Sequence, residues 1–143
     1  MTPRLTKKGE LMNKFMRQLS DPTQIKGRKD WLRTKPGSDV IAFRAPIPVT
    51  VDGTRRIEFV DFFIDTSRVN YGGDPVIRSP RADRHRPLGH ANHIFNDHSL
   101  CLGTNLGNAD LCELLRRCEE WAGGIIKWEA TGKFPQFGSV FRR

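Results

Sequence analysis

Reactive side chains crowd into one stretch of this sequence, His90-Ala91-Asn92-His93-Ile94-Phe95-Asn96-Asp97-His98-Ser99-Leu100-Cys101-Leu102-Gly103. A cysteine preceded by His and Asn is a candidate nucleophile, since a thiolate attacks acyl carbon and leaves it again readily. Cys112 and Cys118 lie on a helix-patterned stretch and read as small hydrophobic residues. All four histidines, His85, His90, His93 and His98, fall shortly before Cys101. Such a cluster also allows zinc, and His-Asn-His nucleases use similar residue types around a metal. The spacing argues against both: no second cysteine stands close to Cys101, and the following helix offers no His. Three unevenly spaced cysteines make no disulfide framework and point to a reducing, cytoplasmic setting.

These residues need elements to hold them. Leu5, Leu11, Met12, Phe15, Met16 and Leu19 recur at helical spacing, predicting a first amphipathic helix from Pro3 to Leu19 that Asp21-Pro22 breaks. Trp31-Leu32-Arg33 is a candidate short strand. A second strand is expected over Asp39–Val51, with Val40, Ala42, Ile47 and Val49 as its apolar set. Asp52-Gly53 carries the signal of a tight hairpin. Ile57–Asp65 is the strongest strand, aromatic and β-branched, and Pro75–Arg78 a brief fourth. From Ser79 to Leu100 the periodicity fails, and a loop of that length is usually functional or disordered. A second helix, capped by Asn108, is expected on the stripe Leu111, Leu114, Leu115, Cys118, Trp121 and Ile125. Glu113 and Arg117 pair across one turn, and Gly123-Gly124 weakens the helix end. Trp128 and Phe134 dock the tail. The order is helix, antiparallel meander, irregular segment, helix: an α+β fold in a single domain spanning residues 1–143.

Composition narrows the partners. The chain has 143 residues and a net charge of +8. Residues 1–35 hold ten Lys or Arg against three acids, so almost all of the excess lies there. A basic face of this kind meets nucleic acid or an acidic protein, or simply keeps the surface solvated. No apolar run approaches a membrane span, the N-terminus has no signal-peptide core, and a soluble globular protein is expected. The motifs of the common RNA-binding modules, the P-loop and the dinucleotide fingerprint are missing, which makes a nucleic-acid partner the weaker expectation.

The stretch before Cys101 resembles the active site of ubiquitin-conjugating enzymes, which typically reads His-Pro-Asn-aliphatic-Tyr-x-x-Gly-x-aliphatic-Cys-Leu. Ile94, Phe95, Ser99, Leu100, Cys101 and Leu102 fall on matching positions. The helix, the four-stranded meander and the closing helix come in the family's order. Read without a gap, His93 takes the place of the family's asparagine. Shifted by one residue, His90-Ala91-Asn92 covers the motif, with an extra residue before the cysteine. Either Asn92 or His93 is then the helper that stabilises the oxyanion, and a His can also carry the proton. The family's usual Gly is His98 here, and the helices that follow the core are cut short.

The shortened form, with the tail WEATGKFP, is most similar to bacterial ubiquitin-conjugating-like proteins of antiphage defence operons of the CBASS type or related ones. The resemblance implies a thioester on Cys101 with the C-terminus of a nucleotidyltransferase or a ubiquitin-like protein, passed on to an amine. It implies an activating enzyme that meets the basic first helix, and no cofactor. Asn105, Asn108 and Asp110 either position the incoming amine or act as turn and cap residues. A metal-dependent nuclease and a basic nucleic-acid-binding module are the alternatives.

Overall fold

A computed structural model describes residues 3–25, 28–69, 74–103, 106 and 109–135, and over 3–10 the helix path alone. The elements are α1 (Pro3–Leu19), α2 (Pro22–Ile25), β1 (Leu32–Thr34), β2 (Val40–Val51), β3 (Thr54–Val69), β4 (Pro75–Arg78) and α3 (Leu111–Thr131). Single 3-10 turns stand at Lys29–Trp31 and Ala82–Arg84. The four strands pair antiparallel in chain order. The architecture is therefore α+β, with helices packed on one face of a meander.

Several local expectations need correction. Pro22 does open a new element, as proline does at a first helical position; the Asp21 carboxylate accepts from the Thr23 amide and hydroxyl beside it. Trp31 closes a 3-10 turn, and β1 begins only at Leu32. In β2 the inward residues are Ile41, Phe43, Ala45 and Ile47, so Val40 and Ala42 face the other side. Alternation fixes that choice, because the inward set must pair with Val60, Phe62 and Ile64 of β3. Asp52 and Gly53 adopt φ of 51° and 77°, as a two-residue hairpin with a primed turn requires. Pro46 and Pro48 lie past the short reach of β1, on an open edge where a missing N–H costs no ladder bond.

The inner face of the sheet, Phe15 and Leu11 of α1, and the stripe of α3 form one core. Phe43 stacks on Phe62, and Trp121 meets Phe62 edge-on at 6.0 Å. Each such ring or branched aliphatic, fully buried, contributes about 1.5–3 kcal/mol. Met16, placed on the apolar stripe by spacing, is 42% exposed. The outer sheet face leaves Ile57, Phe59 and Phe63 exposed, with Trp31 packed on Phe59.

The long helix α3 runs straight through Gly123-Gly124 and ends at Gly132, whose φ of 80° makes the left-handed stop. Its N-cap is Asp110, which accepts from the Glu113 amide at 2.8 Å. Asn108 lies outside the described residues. Gln18 of α1 accepts from the Leu111 amide at 2.6 Å, and Arg28 holds Glu119 through two hydrogen bonds. No helix among the described residues is long and apolar enough to cross a membrane.

Candidate active site

Four hydrogen-bonded steps fold the segment around Cys101. The Leu100 amide donates to the carbonyl of Ile77 at 2.8 Å, hooking the segment onto β4. Asp97 accepts from both the amide and the hydroxyl of Ser99, and His98 takes a left-handed φ of 69°; together they close a tight turn. The Phe95 amide then donates to the Ser99 carbonyl at 2.8 Å, and the Cys101 amide to the His93 carbonyl at 3.0 Å. With Ile94 bridged antiparallel to Leu100, these bonds make a miniature hairpin.

The register of that hairpin has a chemical consequence. Ile94 stands opposite Leu100, and both are buried. One residue further out on each side, His93 stands opposite Cys101. Side chains alternate along each strand and directly opposed residues share a face, usually with Cβ atoms about 4.5–5.5 Å apart. His93 departs from that alternation through its left-handed φ of 57°, and the backbone bond from the Cys101 amide makes it the cross-strand neighbour of Cys101; both residues are half-buried.

His93 is held from both sides. Its φ of 57° is left-handed, and its amide donates to Gly89 at 2.6 Å. Its ring packs on Phe134 with centroids 4.7 Å apart, and His90 lies edge-on at 6.4 Å. Burial foremost, and then the charge of His90, hold the His93 imidazole below the usual histidine value.

Asn92 faces elsewhere. It is wholly buried. Its Oδ1 accepts from the Leu88 amide at 3.1 Å and its Nδ2 donates to the Arg86 carbonyl at 2.9 Å. Its own carbonyl accepts from the indole of Trp121. The asparagine braces the approach loop from inside and ties it to α3. His90 is exposed at the mouth of the site. His85 is drawn away to Glu129 at 2.6 Å, edge-on to Trp128.

Beyond the cysteine the chain is fixed to α3. Arg117, gripped by Glu113 at 3.0 Å, donates to the Leu102 carbonyl at 3.1 Å. Gly103 has a φ of 103°, left-handed backbone that favours glycine, and the Arg117 guanidinium lies where a Cβ would stand. Phe95, Leu100, Leu102 and Leu106 line a groove of about 430 Å³ against β4, with Asp74 and Asp97 also on its lining. Asp110 caps α3; Asn105 lies outside the described residues.

The other thiols differ. Burial pushes Cys118 far up, so it stays protonated. Cys112 is half-buried beside Arg28, less enclosed than a core residue. Among the described residues no three His, Cys, Asp or Glu side chains converge as a metal centre requires. Arg117 and Phe134 are neighbours of the candidate site that motif reading did not single out for it; glycines at 103 and 124 are the sequence trace of both close approaches. Neither the family models, nor the curated proteins, nor the solved structures contain a match to this chain.

Proposed function

We propose that this protein is a cysteine-dependent acyl transferase of the ubiquitin-conjugating kind, with Cys101 as acyl carrier and His93 as its helper. The observation that carries the reading is the backbone pairing that makes these two residues cross-strand neighbours in the 93–101 hairpin. The helix, the four-stranded antiparallel meander, the irregular approach and the closing helix follow the order of that fold. Cytoplasmic antiviral defence and a nucleotidyltransferase or ubiquitin-like acyl donor belong to the same reading.

The chemistry proceeds in two acyl exchanges. The Cys101 thiolate attacks the activated C-terminal carbonyl of the donor, supplied as a thioester or acyl adenylate, and expels that leaving group. A substrate amine then attacks the Cys101 thioester. The C–N bond forms, the C–S bond breaks, the thiolate leaves, and the amine's proton passes to the neutral His93 imidazole. Placing acceptor and thioester on adjacent strands converts proton removal into an intramolecular step. Asn92 has both ends of its amide on loop backbone, which favours His93 over Asn92 for this work. Arg117 and Gly103 keep the chain after Cys101 fixed while the thiol exchanges partners.

The test is direct. Purified protein is mixed with a glycine-terminated donor peptide prepared as an aryl thioester, together with a small amine. The expected product is a mass adduct on Cys101 that hydroxylamine or thiol removes, that Cys101→Ala lacks, and that Cys101→Ser retains as a slowly formed ester. An adduct of equal yield in Cys101→Ala would overturn the reading, as would an unmodified Cys101 in the native chain.

A further inference from the structure

The contact between His93 and the tail has a consequence for the reaction. Phe134 lies three residues past the end of α3, and its ring sits at 4.7 Å from that of His93. Its seat is Gly124: a Cβ on that residue would come within 2.3–2.9 Å of three atoms of the Phe134 ring. The space is open to the aromatic only because position 124 carries no side chain. A glycine in the interior of a helix costs about 1 kcal/mol relative to alanine, so this chain gives up helix stability at 124 to admit the ring.

We propose that Phe134, seated over Gly124, is a positioning residue for His93: it packs on the imidazole and fixes the ring's orientation beside the strand that carries Cys101. The inference rests on the reading of His93 as the proton acceptor. Enclosure by an apolar ring does two things. It excludes water that would otherwise hydrolyse the thioester in competition with the amine. It also disfavours the imidazolium. The direction found for His93, with burial as the leading cause, agrees. Among the described residues, charged and titratable groups come near the ring from the loop, the hairpin, the tail and α3. His90 approaches from the loop, and Cys101 is the cross-strand neighbour through its backbone amide. Lys133, beside Phe134, is exposed, and Glu120, one turn before Gly124 on α3, is buried.

The experiment follows the His93 imidazole of the full-length protein by NMR against pH, and in parallel the pH dependence of amine transfer from the Cys101 thioester. Phe134→Ala is expected to raise the His93 midpoint towards that of a solvated histidine and to move the acid limb of the rate profile up with it. Hydrolysis should gain on aminolysis several-fold. Gly124→Ala, which displaces the ring while strengthening the helix, should do the same; Phe134→Leu should fall between. An unmoved His93 midpoint in both Phe134→Ala and Gly124→Ala overturns the role of Phe134 alone. A shifted midpoint with an unmoved rate profile overturns the acceptor role of His93, and the reading beneath it.

Discussion

Asn92 and His93 are neighbours in the chain, yet their hydrogen bonds divide their duties. Asn92 spends its amide on the Leu88 N–H and the Arg86 carbonyl inside the protein. Replacing it with alanine leaves those partners in search of water and should cost about 2 kcal/mol, read as a lower urea midpoint with an unchanged slope. The rate of amine transfer per folded molecule should stay close to native. His93 sits in a left-handed conformation that asparagine tolerates well. His93→Asn therefore tests proton transfer apart from folding. Asparagine still donates a hydrogen bond but accepts no proton, so transfer should fall by about 10²-fold near neutral pH and lose its acid limb. Retention of that limb in His93→Asn would assign it to another group.

At the scale of elements, local pattern carries far where one element suffices. α1, β4 and the stripe of α3 follow from spacing alone, since each shows its periodicity within a few turns or residues. Choices that depend on a partner were hidden. Which set of β2 residues points inward is decided by its pairing with β3. Which residue caps α3 is decided by where the chain turns onto α1, and Gln18 receives the Leu111 amide there. Gly123-Gly124 reads as a weak helix end until Phe134 is placed across it. The candidate site was half legible for the same reason. Cys101 is marked by its motif, but the choice between Asn92 and His93 depends on a hairpin register set by Asp97, Ser99 and His98. The cap offers an element-scale test: Asp110→Ala should cost about 1 kcal/mol of stability while leaving Cys101 acylation unchanged, because the cap holds α3 and not the hairpin.

For the molecule as a whole, the long approach to the site is fastened to the body by charge. Arg81 joins Glu58 of β3 to Glu129 of α3, and His85 reaches the same Glu129. The Arg81 side chain is 13% exposed, so the pairs are shielded from solvent more than a surface bridge is. Hydrogen bonds from Arg56, then Arg81, lower the Glu58 carboxyl against its burial. Burial pushes Glu129 up, but the hydrogen bonds and charges of Arg81 and His85 outweigh it, and it too ends below the usual 4.5. A carboxylate whose folded value is depressed binds its proton less readily in the folded than in the unfolded chain. Its contribution is complete above about pH 4.5 and is lost as the pH falls through the lower folded value. Glu129→Gln removes the charge that Arg81 and His85 share. At pH 7 the variant should be less stable by about 1–2 kcal/mol, part of the pair's strength being lost to solvent. Below pH 4.5 the native protein loses the same interaction, so the difference between the two urea midpoints should close as the pH falls towards 3. A gap that stayed constant with pH would mean that Glu129 acts through packing alone. The approach loop would then be held to α3 by Asn92 and Trp121 and not by this charge network.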